Sequence, residues 1–280
     1  MTTTVPGEKK PVRAFDVILI SILGVLALIT VYPFYNVLIL SFSNIAAQAK
    51  HTPYMWFWAL DLEGYKTIVG DRFFFLSLGN TLFVTIVGTA INMLLSVAGA
   101  YVLSKKRLPG RNFLLTLVVI PMLFSGGMIP TYLVMKDYGL INSIWSMILP
   151  WAVSSYYVII MKNYFRSISP SLEEAAIIDG ESYTGVFFKI MTPLSKPIYA
   201  TVAIMSFIRA WGDLLWPTLV TRDNTWRTLP QALRGLNDSV YTFWGQIFAF
   251  SAMITLPILV IFLAFQKQFV QSVAMSGIKG

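Results

Sequence analysis

SPSLEEAAIIDGESYTGVFFKIMTP, residues 169–193, is polar, compact and rich in helix-capping residues, while the sequence on either side of it is strongly apolar. Such a segment is suited to meet water. Ser171 followed by Glu174 has the spacing of a capping box, in which hydroxyl and carboxylate satisfy free amide hydrogens at the start of a short helix. Gly180 ends that helix, because glycine adopts the left-handed conformation common just past a helix C-terminus. A second helix is expected over 181–190, where Tyr183, Val186, Phe187 and Ile190 recur at i, i+3, i+4 and i+7 on one face, and Pro193 stops it. Two short helices meeting at a glycine present a small-residue knob, Glu174-Ala175-Ala176, to a partner, and the alanines allow close approach. On these residues alone, an ordinary amphipathic helix-turn-helix is the competing reading.

The surrounding chain decides the class. Of 280 residues 56% are hydrophobic and 12% charged, and the mean hydropathy is +0.68, outside the range of a soluble domain of this length. Apolar stretches lie at 17–40, 73–104, 113–135, 140–161, 197–220 and 239–266. Each can cross about 30 Å of hydrocarbon as a helix. Five contain no Asp, Glu, Lys or Arg, and the fifth in order carries Arg209 and Asp213. Continuous apolar runs without alternation favour helices over barrel strands, so the expected fold is an all-α membrane protein with six transmembrane helices. The lack of cysteine excludes disulfides and thiolate metal sites, and His51, in a loop, reads as solvated. The first run follows Lys9, Lys10 and Arg13 but has no small-residue cleavage site before Tyr32-Pro33-Phe34-Tyr35, and reads as a retained anchor.

With the amino terminus inside, the tail over 1–14, the loops over 105–112 and 162–196, and the chain from 267 onward are cytoplasmic, with the membrane domain over 15–270 and the C-terminal tail over 271–280. Thirteen of the 21 Lys and Arg residues then lie inside, led by Lys105-Lys106-Arg107 and Arg111. Lys- and Arg-rich short loops stay in the cytoplasm, so the segment quoted first, within a loop over 165–193, faces the cytoplasm. The net charge of +8 is accounted for by these flanks, and no basic-aromatic interleaving on a soluble face points to nucleic acid. Between the first two spans, Tyr54, Trp56 and Trp58 suit a membrane–water interface. Pro121, Ser125-Gly126-Gly127 and Ile129-Pro130 break the third span, which requires a neighbouring helix or a water-filled cavity to satisfy the freed backbone. Gly79, Gly88, Ala90, Ser96, Ala98, Gly99 and Ala100 suit close helix packing in the second.

Arg209 and Asp213 are four residues apart, hence on one helix face, where they can pair with each other while Trp211 and Trp216 flank them. An intramembrane pair facing a solute path is one reading; a structural pair, or residues near the outer interface, is the other. Arg222, Arg227 and Arg234 in the following loop face only Asp223 and Asp238. The resulting basic outer mouth suits an anionic solute or a docking partner on that side.

Glu174-Ala175-Ala176, then Gly180, then Ile190 and Pro193, resembles the EAA-loop signature of permease subunits of bacterial ABC importers, with Thr192 where leucine is usual. Trp211-Gly212-Asp213-Leu214-Leu215-Trp216-Pro217, Arg227-Thr228-Leu229-Pro230 and the tail Gly277-Ile278-Lys279-Gly280 are similar to the MalG-like carbohydrate branch. Ser125 to Tyr132 resembles its sub-branch of LplC-like and alginate-importer subunits. The resemblance implies a six-helix type I importer (MetI-like) permease fold, a second homologous permease subunit, two ATPase subunits that bind ATP and Mg at the cytoplasmic face, and an extracytoplasmic solute-binding protein. It places ATPase coupling on Glu173, Glu174, Ala175, Ala176, Asp179 and Gly180, and a tail contact with the ATPase on Ser276, Gly277, Lys279 and Gly280. The cargo implied is an oligosaccharide, acidic (alginate-type) or neutral (maltodextrin-like), in a path including Arg209, Trp211, Asp213 and Trp216.

No G-x-x-x-x-G-K-[ST] loop occurs in the sequence, so nucleotide chemistry is expected from a partner and the chain itself is not expected to be an enzyme. An ion-driven transporter or channel would want membrane-buried acids, and Asp213 is the one acidic residue in the six stretches. A membrane enzyme would want an ordered His, Asp or Glu cluster, and the acidic residues are scattered over loops.

Overall fold

A computed structural model describes residues 14–44, 46, 55–56, 59–124, 126–237 and 243–277. Lys9, Lys10, Arg13, His51, Tyr54, Trp58, Ser125, Asp238, Lys279 and Gly280 lie outside them. The described residues are helical, with an isolated bridge between Ser43 and Leu60. The chain divides into two compact units, one of Met1–Thr67 with Phe243–Ala252 and one of Ile68–Thr242 with Met253–Gly280.

In the first unit, α1 (Ala14–Ser41) is a single helix with Pro33 inside it. A helical turn not expected from the sequence, α2 (Glu63–Gly70), begins here and runs into the second unit. Phe42 stacks on Tyr65 with ring centroids 5.0 Å apart, and the Tyr65 hydroxyl donates to Ser41 Oγ at 2.8 Å. A Cβ on Gly64 would fall 2.6 Å from the carbonyl oxygen of Gly245, so glycine is required where the start of α2 meets the start of the last helix. That helix, named α13 below, runs Trp244–Gly277 and also crosses the division between units.

The spine of the second unit is α3 (Arg72–Ser104), 33 residues without interruption. Asp71 caps it by accepting from the Phe73 amide at 2.9 Å, satisfying one of the free donors of the first turn. The third expected span forms α4 (Arg111–Leu123) and α5 (Met128–Asp137), separated at the Gly-rich break. The fourth forms α6 (Ile144–Ile148), continuing as a 3-10 turn to Trp151, and α7 (Ser155–Ser167), with a bend of 45°. After the polar segment, α8 (Pro170–Ile178) and α9 (Tyr183–Val186) precede α10 (Lys196–Trp211), α11 (Leu215–Val220) and α12 (Leu229–Asn237). The span expected as one helix over 197–220 is therefore two, split at Gly212–Leu214. Phe15–Ser41, Arg72–Ser104 and Trp244–Gln266 are continuous helices long and apolar enough to cross a membrane.

α7 and α10 both pack along α3. Ala100 is fully buried with Met161, Val186 and Val202, and Gly99 brings α3 to within 3.8 Å of Val158 as measured from an ideal Cβ, so the small residues of α3 do serve close packing here. Toward the other end of α3, Val84, Ile148, Trp216 and Val220 form a second core.

Polar side chains tie the loop after α11 to that second end. The buried Asn80 amide donates to the carbonyls of Thr225 (2.8 Å) and Arg227 (3.0 Å), and Thr81 Oγ accepts from the Leu229 amide at 2.8 Å. Asn142, held at φ +60, joins the same loop: its amide nitrogen donates to Val220 O at 2.7 Å, its Oδ1 accepts from Arg222 N at 3.0 Å, and its Nδ2 donates to Asp223 Oδ2 at 2.8 Å. The last of these bonds stabilises the ionised carboxyl and is the first cause of an Asp223 pKa below the ordinary carboxylate range.

Asn80→Ala leaves two part-buried carbonyls without their donor, at a net cost of about 1 kcal/mol per hydrogen bond; the purified chain should melt measurably lower in detergent, while Thr218→Ala, on an exposed helix face, should not. Asn142→Ala should raise the Asp223 pKa toward its ordinary value, read by titration of a carboxyl-labelled sample. Because the folded pKa is the depressed one, the loop's added stability is present above the unfolded Asp pKa and is lost as pH falls through the folded value.

Candidate functional site

The polar segment folds as an elbow. α8 starts at Pro170, whose fixed φ and missing N–H suit the first helical position, with Ser169 in the N-cap position and no side-chain cap bond. The expected Ser171/Glu174 capping box therefore does not form: Ser171 lies inside the first turn, and its hydroxyl pairs with Ser169 Oγ at 2.7 Å. The end of α8 is as expected. Gly180 has φ +86, Glu181 N donates to Ala176 O (2.9 Å) and Gly180 N to Ile177 O (3.1 Å), the paired bonds of a Schellman motif.

Ser182, not Glu181, opens the second arm by accepting from Gly185 N at 3.1 Å. Glu181 instead pairs with Lys189 at 2.7 Å, and this hydrogen bond is the main cause of its lowered pKa. The second arm is not a regular helix ending at Pro193. α9 passes into a π turn over Phe187–Met191, then a helical turn over Thr192–Leu194, and Ser195 leads directly into α10. Proline is tolerated there because it sits in the first turn of a new piece. A π turn takes more residues per turn than 3.6, and it brings Met191 onto the buried face. Of the expected stripe, Val186 is buried and Phe187 and Ile190 are half-buried, while Tyr183, at the start of α9 and before the π turn, is 68% exposed.

Among the candidate coupling residues, Glu174, Ala175, Asp179 and Gly180 are exposed, Ala176 is half-buried against the core, and Glu173 is half-buried and paired with Lys105, Nζ lying 2.5 and 2.6 Å from its two oxygens. Ile178 (84% exposed) and Phe188 (67%) add apolar surface beside them, and neither was singled out by sequence periodicity because the π turn and the helix end set their direction. The candidate tail residues Ser276 and Gly277 close α13, and Lys279 and Gly280 lie outside the described residues.

The second locus is the break between α10 and α11. Arg209 and Asp213 do not form the expected ion pair, because α10 ends at Trp211 and the two no longer share a helix face. Arg209 Cζ lies 3.7 Å over the Trp151 ring, a cation–π contact, and Asp213 Oδ1 accepts from Trp216 N at 3.3 Å, as a cap for α11. Both line a cavity of about 30 Å³ with Thr81, Trp151, Ser206 and Thr228. Trp211 and Trp216 are buried, their indole N–H groups donating to Ile254 O (3.1 Å) and Ser146 O (2.8 Å). Trp151, which sequence reasoning passed over, is placed by Asn92 Nδ2 donating to its carbonyl at 2.8 Å and packs edge-on to Trp216.

Comparison with known proteins matches residues 96–275 to the family model described as binding-protein-dependent transport system inner membrane component. The chain is 37% identical over 282 residues to Protein LplC of Bacillus subtilis (strain 168), covering 96% of each. It is 35% identical over 283 residues to the polygalacturonan/rhamnogalacturonan transport system permease protein YtcP of the same organism, covering 96% of this chain and 99% of the other. Its fold is similar to a chain of the crystal structure of a bacterial ABC transporter involved in the import of the acidic polysaccharide alginate, with a TM-score of 0.83 at 29% identity over 95% of this chain and 100% of that one. The membrane-length apolar helices among the described residues, a matching family model and full-length relatives agree: the chain belongs to the family of binding-protein-dependent transport system inner membrane components, as a multi-pass permease subunit of an ABC transporter.

Proposed function

We propose that this permease forms half of the translocation path of an ATP-driven importer for oligosaccharides, with acidic, uronate-containing oligosaccharides as cargo, and that a second homologous permease subunit forms the other half. Two separate ATPase subunits bind ATP and Mg, dock on the elbow at the cytoplasmic face and reach the tail over Ser276 to Gly280, while a solute-binding protein delivers cargo on the opposite side. The observation that carries this reading is the position of the elbow. Lys105, which holds it, and Thr81, which holds the loop carrying Arg222 and Arg227, are on the same helix and about 36 Å apart at about 1.5 Å per residue, roughly a bilayer apart.

Docking is supported by the exposed Glu174, Asp179, Ile178 and Phe188, an apolar patch rimmed by carboxylates. Because the second arm leads through Ser195 directly into α10, a displacement of the elbow is passed on to the break at Gly212–Leu214. Transport then requires two global states that differ in contacts at both places. The acidic cargo is supported by Arg209 at the cavity and by the relatives named for polygalacturonan and alginate. A neutral oligosaccharide in the same machinery is favoured by one observation, the stacking of Arg209 on Trp151, which gives its charge a structural partner.

Gly180→Pro, at a φ proline cannot adopt, and Glu174→Lys should each abolish uptake while the chain remains inserted in the membrane and folded; retained uptake in both would remove the docking reading. Arg209→Ala should lower uptake of a uronate oligosaccharide about tenfold, the scale of one charge-assisted hydrogen bond, and that of a neutral one less; equal losses would favour the neutral cargo.

A further inference from the structure

α8 carries two adjacent glutamates, and they are used differently. Glu173 is turned toward the end of α3, where both of its carboxylate oxygens meet the ammonium of Lys105 at 2.5 and 2.6 Å. The two side chains are 29% and 21% exposed, so this pair is less screened than a fully solvated one. Glu174, the next residue, points to solvent. Residues 100° apart on a helix cannot face one partner group.

The placement of the pair is favoured by the backbone itself. Lys105 is the C-cap residue of α3 and Glu173 lies in the first turn of α8, so a cation sits at a negative helix end and an anion at a positive one. The Lys105 ammonium also lies 4.0 Å from the centre of the Tyr101 ring. Tyr101, one turn earlier on α3, packs on Phe187 of the second elbow arm (4.7 Å) and on Phe165 at the end of α7 (5.8 Å). One turn of α3 therefore grips both arms of the elbow, Tyr101 by ring contact and Lys105 by charge.

We propose that Lys105 is a positioning residue for coupling: it withdraws Glu173 from the docking surface, leaves Glu174 as the carboxylate of α8 that meets the ATPase, and ties the elbow to α3 so that movement imposed at the elbow is shared by α3 and α10. This rests on the reading of the elbow as the ATPase dock. It removes Glu173 from the group of residues that touch the partner and gives it an internal role, with Lys105, on a different loop, as its counterpart.

The test uses the tagged full-length chain expressed with the remaining subunits of its transport system, purified and reconstituted in lipid nanodiscs. Retention of the ATPase chains on the tag and MgATP hydrolysis with and without the solute-binding protein are measured for Lys105→Glu, Glu173→Lys, the double exchange K105E/E173K, Lys105→Arg and Glu174→Lys. Both single reversals are expected to retain the ATPase chains but to lower the ratio of stimulated to unstimulated hydrolysis about tenfold, within the usual range of coupling between sites. The double exchange and Lys105→Arg should restore the ratio. Glu174→Lys should lose the ATPase chains. A double exchange as impaired as Glu173→Lys alone would mean that Glu173 contacts the ATPase and would overturn the assignment, as would single reversals with a normal ratio. Retention of the ATPase chains by Glu174→Lys would overturn the docking reading itself, independently of the outcome for the pair.

Discussion

Hydrocarbon offers no hydrogen bonds to a polypeptide, and every backbone group at membrane depth must find its partner within the protein. α3 meets that constraint along 33 residues with no break, and the rest of its unit is arranged on it. α7 and α10 lie along its length, and small residues at 96, 99 and 100 bring them close enough for dispersion contacts to take the place of a hydrophobic drive that lipid does not supply. Near one end of α3, Asn80 and Thr81 hold one loop, Asn92 in its middle holds Trp151, and Lys105 at its other end holds another loop. The two regions with functional promise are separated by the length of this helix because each is attached to a different end of it.

Where helices do break, the freed groups are recaptured by particular side chains. Asp213 accepts the Trp216 amide in the first turn of α11 after α10 stops, and the Asn142 side chain supplies one donor and one acceptor to the turn after α11. The break at Gly212–Leu214 is thus a stable feature with its own cap, and it places a guanidinium and a carboxylate around one small cavity without spending either on the other. In a transport subunit such a break is useful, since a discontinuous helix exposes oriented backbone dipoles where a solute passes.

The elbow shows a related economy. Its first arm ends in a Schellman motif, so its last carbonyls are satisfied internally and its surface is left with carboxylates, alanine and the exposed apolar side chains of Leu172, Ile177 and Ile178. Its second arm has a π turn in place of a regular stop. That turn keeps the chain helical through Pro193 and leaves only Ser195 between the elbow and α10. Mechanical continuity and a free docking surface are both consequences of backbone hydrogen bonding rather than of any one reactive group.

Composition and hydrophobic runs determined that this is a helical membrane protein, because apolar length against bilayer thickness is a property of the chain alone. The spacing of Glu174-Ala175-Ala176 and Gly180 likewise located the elbow and its first helix end, since a left-handed glycine acts within a few residues of itself. Only the tertiary structure decided the rest. Arg209 and Asp213 look paired at i and i+4, yet the helix ends between them, and whether a span stays whole depends on what packs against it. The start of α8 and the passage of the second arm through Pro193 departed from expectation for local reasons, a proline at the first position and one wide turn, that a 3.6-residue period cannot represent. Lys105 and Glu173 are 68 residues apart in sequence and have no shared motif; their meeting exists because α3 ends where α8 begins, and that is a fact of packing.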